Sequence, residues 1–430
     1  MTSGKVLVVG NGAREHALVW KLKQSPRVRG LFCSPGNAGT AELATNVPIL
    51  AHQVDQIAAW AEANEIDLVV VGPEEPLARG LADRLTERHL TVFGPSAAAA
   101  KLEASKSWAK DLMRQAGVPT ADHAVFDDAA SAWDYARRQR YPIVLKADGL
   151  AAGKGVIVAH NASEARAAIV ASLETGVFGE AGRRLLIEEF LVGEELSLLT
   201  LVDGTRIQPF VPSRDHKRIG DGDTGPNTGG MGAFAPTRLA EPARADDLCQ
   251  MVVAPIVEAL RERNIVYRGA LYAGLMLTAD GLKVVEYNCR LGDPETQVVL
   301  PLLGDDFAEL AYATATGELP GQLAPVNPGY YCGVVLAAGG YPGSYDTGVP
   351  IDGLDRVDPA ALVFHAGTRR ADNGVVTAGG RVLTVVGQGA TLEAARQHAY
   401  ANVERIHFAG AQYRHDIAVR EIDRGDYERG

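Results

Sequence analysis

Short apolar runs punctuated by glycine open the chain. Lys5-Val-Leu-Val-Val9 has the length and composition of a buried strand, and the turn Gly10-Asn-Gly-Ala-Arg-Glu-His16 feeds it into a helix expected to run to about Gln24. The alternation repeats, with strands expected over 31–34, 67–71 and 91–93, the last two closing in Gly72-Pro and Gly94-Pro. Strands alternating with helices predict a parallel doubly wound sheet, whose ligands gather at the carboxyl ends of its strands. The loops opening with Gly10, Pro35 and Gly72 should therefore share one rim. A helix expected from about Ala99 to Gln115 then leads away, with Lys106 near its start.

Beyond it the pattern changes from strand-helix units to hairpins. Residues 142–158 read as two apolar strands flanking a glycine-rich loop, and Leu185-Leu-Ile-Glu-Glu-Phe-Leu191 reads as a strand running into the connection 192–197. Residues 271–277 and 283–287 form a second hairpin around Ala279-Asp-Gly281, and between these pairs lies a long glycine-rich loop, 213–234. Long loops inside compact domains are usually functional or disordered, and the charges of Asp215-His-Lys-Arg218 favour function. A last unit begins near Gly329. It has strands expected over 331–337 and 381–386 and a helix over 391–406 whose Leu392, Ala395, Ala399, Val403 and Ile406 share a face. No chemistry is legible in it, and His365 reads as a core histidine.

At 430 residues the chain is too long for one core, so about three domains are expected. A net charge of -11 argues against nucleic acid as a partner and means that any phosphate site must be built locally. No apolar run approaches a membrane span, Met1 to Lys5 leads straight into a strand, and a cytoplasmic location is expected. The four cysteines are too far apart for a zinc motif or a disulfide framework.

The densest chemistry lies where the strand 283–287 runs into Asn288-Cys-Arg-Leu-Gly-Asp-Pro-Glu-Thr296. Strand alternation puts Glu286 and Asn288 on one face, and a carboxylate beside an amide oxygen suits Mg²⁺ that takes phosphates and water for its remaining ligands. Arg290 and Asp293 come next with opposite charges, as a site for a zwitterion requires. Upstream, Lys146, Gly153, Lys154 and Gly155 read as a flap over phosphates, in which backbone N–H groups approach the oxygens and the lysines add charge. This loop is not a Walker A turn, because a spacer residue is missing and a strand succeeds it. The acidic strand end at Glu188, Glu189, Leu191 and Glu195 can offer backbone groups to an adenine edge and a carboxylate to its ribose. On the N-terminal rim Gly10, Gly12 and Arg14 can take a phosphate, while Glu74 or the loop bearing Asn37 can reach ribose hydroxyls. The turn does not match a dinucleotide fingerprint, because Glu15 stands in place of the third glycine and Pro35–Thr40, after the second strand, carries no acid.

A lysine-bearing flap, an acidic hinge strand and a magnesium floor together resemble the ATP-grasp ligases. Gly-Asn-Gly-Ala-Arg-Glu-His-Ala at 10–17, Pro-Gly-Asn-Ala-Gly-Thr at 35–40, Lys-Ala-Asp-Gly-Leu-Ala-Ala-Gly-Lys-Gly-Val at 146–156, Asp-His-Lys-Arg at 215–218, Asp-Thr-Gly-Pro-Asn-Thr-Gly-Gly-Met-Gly-Ala at 223–233 and the 288–296 segment are similar to the glycinamide ribonucleotide synthetase family. The resemblance spans residues 5 to about 420, with Ala13 a mild departure from the more common Gly-Gly-Arg. It implies an α/β chain with an N-terminal doubly wound parallel-sheet domain (1–103), a two-part ATP-grasp clamp (104–325, flap subdomain about 120–190) and a small C-terminal α+β domain (326–430). It further implies that ATP, with Mg²⁺ or Mn²⁺ on Glu286 and Asn288, activates glycine for joining to 5-phosphoribosylamine in purine synthesis through a glycyl phosphate. Lys106, Lys146 and Lys154 would serve ATP, Arg290 the reacting carboxylate, and Asp215 or Asp293 the glycine ammonium, with Lys217 beside them. The expected partners are these small molecules, with a monomeric chain and neither nucleic acid nor membrane. The rival readings are another ATP-grasp ligase or carboxylase, and a noncatalytic nucleotide sensor of the same fold.

Overall fold

The computed structural model describes residues 3–151, 155–239, 244–372 and 374–427. Its N-terminal sheet has the strand order β3-β2-β1-β4-β5, built from β1 (Gly4–Gly10), β2 (Val28–Pro35), β3 (Thr45–Asn46), β4 (Leu68–Val71) and β5 (Val92–Phe93). All its pairings are parallel. Val6 to Val9 are fully buried because helices cover both faces. The carboxyl ends of three strands meet as expected. Gly36 N–H donates to the Gly10 carbonyl at 3.1 Å and Gly72 N–H to the Val9 carbonyl at 3.0 Å.

The helix expected over 99–115 is instead two helices, Ala97–Ala104 and Lys106–Gln115. Ser105 adopts an extended φ of -138° and its hydroxyl accepts the N–H of Trp108, so it ends one helix while capping the next. The central region then folds as two antiparallel sheets. One has the order β6-β9-β7-β8, from β6 (His123–Phe126), β7 (Ile143–Ala147), β8 (Val156–Ala159) and β9 (Leu185–Glu189), with β7 and β8 forming the expected hairpin. The other has the order β11-β10-β16-β17, from β10 (Gly193–Val202), β11 (Ile207–Pro209), β16 (Gly269–Thr278) and β17 (Gly281–Asn288).

The segment 213–234, read from the sequence as a loop, contains four short strands. β12 (Arg214–Asp215) and β15 (Gly232–Ala235) join the C-terminal sheet, whose order is β12-β15-β18-β22-β19 with β18 (Tyr330–Ala337), β19 (Leu362–His365) and β22 (Arg381–Gly389). β13 (Arg218–Gly220) and β14 (Thr224–Asn227) form a separate ribbon, as do β20 (Thr368–Ala371) and β21 (Gly374–Thr377). The helix Leu392–Val403 packs on the C-terminal sheet through Leu392, Ala395, Ala399 and Val403, the face that the sequence predicts, with Thr391 as its N-cap. His365 is buried there. Its N–H donates to His16 Nδ1 at 2.8 Å and so ties this sheet to the N-terminal domain.

Candidate active site

One cavity of about 870 Å³ lies where these parts meet, and residues of the N-terminal rim, both central sheets and the C-terminal sheet line it. On β17, Glu286 stands opposite Gly274 and Asn288 opposite Tyr272 in the register with β16. A side chain at position 274 would bring its Cβ to 3.3 Å from Glu286 Cγ, so the glycine leaves room for the acid. Burial opposes the charge of Glu286, but Lys217, Lys146, Lys106 and Arg290 hold its carboxyl below the ordinary range. Asn288 and Glu286 both line the cavity, as the strand alternation requires. No group of three or more His, Cys, Asp or Glu side chains that could hold a metal is found among the described residues. This donor set fits an ion that draws most of its ligands from phosphate and water, and does not fit an all-protein cage.

Arg290 is held from two sides. Its Nε lies 3.2 Å from Glu74 and its Nη2 lies 3.0 Å from Glu103. The other Glu103 oxygen accepts the N–H of Cys289 at 2.7 Å, fixing the end of the floor strand. Burial pushes Glu103 up to about 7 against the pull of Arg290. Glu74 also loses solvation, yet Arg290 and Arg14 hold it below the carboxylate range.

On the flap side Lys146 reaches Glu188 at 2.7 Å and Lys110 reaches its second oxygen at 3.0 Å, all three groups being buried. Burial lowers Lys110 to about 8 although Glu188 opposes it. Glu188, expected at the nucleotide, is thus the hub of a buried triad. Glu189 is also taken, by Lys283 at 2.6 Å and by the N–H of Asp122. Leu191, Glu195 and Gly155 line the cavity, and Lys106 reaches it while donating to the Gly149 carbonyl at 2.9 Å. Gly153 and Lys154 lie outside the described residues.

Asp215, Lys217, Glu195 and Glu295 gather beside the floor. Lys217 lies 3.4 Å from Glu195 and 3.9 Å from Glu286. Burial drives Asp215 well above the carboxylate range; Lys217 opposes this, while Glu295, Glu195 and Glu286 reinforce it. Lys217 is thus the ammonium set directly among the acids of this corner.

The rim departs from the sequence reading at two points. Gly12 N–H, offered there to a phosphate, donates to Glu15 at 2.6 Å, and Glu15 packs so closely over Gly10 that no side chain would fit at that residue. Asn37, offered to a ribose, is buried with its amide bonded to the carbonyls of Asn11 and His365 and its oxygen to the N–H groups of Gly39 and Thr40. It is an interdomain brace. A short polar residue in a glycine turn bonds the nearest backbone when the loop is packed. Arg14 and Glu74 do face the cavity, Arg14 with its Nε on Glu15 at 2.6 Å and its Nη1 on the Leu291 carbonyl.

The arrangement can accommodate a triphosphate between the two central sheets, with Arg290 at one end. Family models describe the same three parts: the phosphoribosylglycinamide synthetase N domain matches residues 4–103, its ATP-grasp (A) domain 104–296 and its C domain 331–420. A phosphoribosylamine–glycine ligase of Nostoc sp. is 51% identical over 423 residues, 97% of this chain and 99% of that one. The chain belongs to the phosphoribosylglycinamide synthetase family. Its activity is that of a phosphoribosylamine–glycine ligase of purine biosynthesis, and its ATP-grasp fold binds ATP. The crystal structure of the Thermotoga maritima ligase is similar with a TM-score of 0.84 and 35% identity, covering 96% of this chain and all of that one. A biotin carboxylase domain from Hydrogenobacter thermophilus, solved with MgADP and bicarbonate, shares the fold at a TM-score of 0.72 and 18% identity over 96% of this chain and 92% of that one.

The cavity is also lined by residues that sequence reasoning passed over. Glu103 and Lys110 sit on the two helices before the flap, where a buried acid in an alanine-rich helix and a lysine on an apolar face were the only signals. Glu295 belongs to the recognised Asp-Pro-Glu segment and accepts from Ser197 at 3.1 Å. The C-terminal unit, read as chemically silent, contributes Tyr341, Arg381 and Arg414 to the cavity of the synthetase. Nothing in the local sequence marks these. Their place is set by β15 pairing with β18, which only the tertiary fold reveals.

Proposed function

We propose that the synthetase joins glycine to 5-phosphoribosylamine through a glycyl phosphate, with glycine held between Arg290 and the acidic corner around Asp215. A carboxylate is a poor electrophile, so it first attacks the γ-phosphate of ATP and releases ADP, and the amine then displaces phosphate to give the amide. The protein's part is to place the reactants and offset their charge. Arg290, oriented by Glu74 and Glu103, faces the reacting carboxylate and the tetrahedral adduct. Lys106 and Lys146 serve the phosphates. Glu286 and Asn288 would hold Mg²⁺ or Mn²⁺, which would supply positive charge to offset that of the transferred group. The gathering of Asp215, Glu195 and Glu295 in one corner of the cavity carries the assignment of the glycine ammonium to Asp215, backed by Glu295. Arg14 and Glu74, at the rim, fall to phosphoribosylamine. A monomeric chain is part of the same proposal. A cytoplasmic location belongs to the same proposal and is supported by four free, buried cysteines.

Asp215→Asn tests this reading. The Michaelis constant for glycine should rise by about 10–100-fold, the scale of a lost charge-assisted hydrogen bond, while that for ATP holds. The native acid, raised by burial, is anionic only above its shifted pKa, so glycine affinity should improve as pH rises through that range. The Asn variant should lack this dependence. An unchanged glycine constant in Asp215→Asn would remove Asp215 from the substrate.

A further inference from the structure

Arg381 enters the cavity from the first residue of β22, at an irregularity where Ala337 pairs with it out of step with the rest of the β18–β22 ladder. Its Nη2 lies 3.1 Å from Asp293 Oδ2, and its Nη1 donates to the Asp293 carbonyl at 2.9 Å and to the Gly229 carbonyl at 2.6 Å. The N–H of the same Gly229 donates to the Tyr341 hydroxyl at 3.0 Å, so both polar groups of that peptide position are gripped by the C-terminal unit. A Cβ at Gly229 would sit 3.0 Å from the Arg381 guanidinium carbon, and only glycine allows this approach without displacement. Asp293 is fixed at its other oxygen too, where Gln297 Nε2 donates to Oδ1 at 2.7 Å.

Two donors leave a carboxylate with further lone pairs to offer. Burial works against the charge of Asp293, but Arg381, Arg14 and Arg290 keep it below the ordinary range, so it is an acceptor at neutral pH. Its position shows which substrate it can serve. A Cβ at Gly12 would lie 3.4 Å from Asp293 Oδ2, which sets the carboxylate against the N-terminal turn. Asp215, by contrast, is shifted chiefly by Lys217, Glu295, Glu195 and Glu286 on the floor side, whereas the charges that chiefly act on Asp293 are Arg381, Arg14 and Arg290. The two acids that the sequence offered equally to one ammonium therefore stand in different electrostatic neighbourhoods.

We propose that Arg381 is a positioning residue for phosphoribosylamine: it holds the Asp293 carboxylate and the Gly229 loop against the N-terminal turn, so that Asp293 accepts from a hydroxyl or the amine of that substrate. The proposal rests on the reading that the rim at Arg14 and Glu74 takes phosphoribosylamine. It gives the C-terminal unit a direct part in substrate selection, because the clamp for ATP closes elsewhere in the cavity.

The stable product glycinamide ribonucleotide serves as the probe, titrated calorimetrically onto the full chain, alongside steady-state constants. Arg381→Ala should weaken product binding and raise the Michaelis constant for phosphoribosylamine by about 10–100-fold, with the ATP constant changed by no more than about twofold. Arg381→Lys, which keeps the charge but cannot bridge both acceptors, should recover part of the loss. Asp293→Asn should weaken product binding comparably, and the double variant should be little worse than either, since the two residues act as one unit. Losses that multiply in the double variant would overturn the proposal, as would an ATP constant that worsens in step with product affinity, the mark of a general structural role. Arg14→Ala and Glu74→Gln separate the two levels. If neither weakens product binding, the rim reading fails. If they weaken it while Arg381→Ala binds product normally, the rim stands and the role of Arg381 is refuted.

Discussion

Glu286→Gln should lower turnover by roughly 10²–10³-fold, about 2.7–4 kcal/mol of barrier, the scale seen when one preorganised electrostatic contact to a transition state is lost. The substitution keeps the shape of the side chain and removes only its charge. It does so at a site where Lys217, Lys146, Lys106 and Arg290 all favour an anion. Asn288→Ala should act in the same direction by removing an oxygen from the same face of β17. Both effects should appear as a steeper dependence of rate on Mg²⁺ concentration. Glu189→Gln is the contrast: its carboxylate is bound to Lys283 at the hinge end of the cavity, so its effect should fall on ATP affinity and leave the Mg²⁺ dependence alone. Normal turnover of Glu286→Gln at limiting Mg²⁺, or a loss that tracks thermal stability, would reduce the pair to a structural strand end.

Glu188→Gln should destabilise the flap subdomain by about 3–5 kcal/mol, because removing one partner from a buried ion network leaves the others uncompensated. Here two ammonium groups would be stranded, those of Lys146 and Lys110, in a pocket where Glu188 is 4% exposed. The triad also explains how the flap tolerates buried lysines before a nucleotide arrives. ATP phosphates supply negative charge at the same place, so saturating ATP should recover part of the lost stability. Thermal unfolding with and without ATP checks both halves. A melting temperature equal to that of the native chain would show that water already compensates these lysines.

The parts of this site legible in the sequence were those whose chemistry is local. Glu286 and Asn288 share a face because strand geometry requires it, and the loops at Gly10, Pro35 and Gly72 meet because parallel strands end together. Periodicity also marked a helix over 391–406, found as Leu392–Val403 with the predicted face buried. The reading failed where a side chain's partner is distant in sequence. Glu188 looks like a ribose contact until Lys110, 78 positions earlier, is seen to bind it. Asn37 looks free until the His365 carbonyl, 328 positions later, takes its amide. Ser105 was missed for another reason: a serine inside a strong helical pattern draws no notice unless its hydroxyl is known to cap the next helix. The 213–234 segment misled most, since its glycines and charges read as a loop although four residues of β15 lie buried in a sheet with strands almost a hundred positions on.

That shared sheet sets where the chain can be divided. β18 pairs on one side with β22 and on the other with β15, which lies before the floor strand and the Arg290 loop in the sequence. A fragment beginning near residue 326 would keep β18 but lose its neighbour, presenting Tyr331, Cys332, Gly333 and Val334 as an open edge with unpaired backbone groups. Such an edge is a template for strand addition between molecules, so this fragment is suited to aggregation and poorly suited to life as a module. The last hundred residues therefore cannot be shuffled onto another protein as a unit without also carrying the segment around β15.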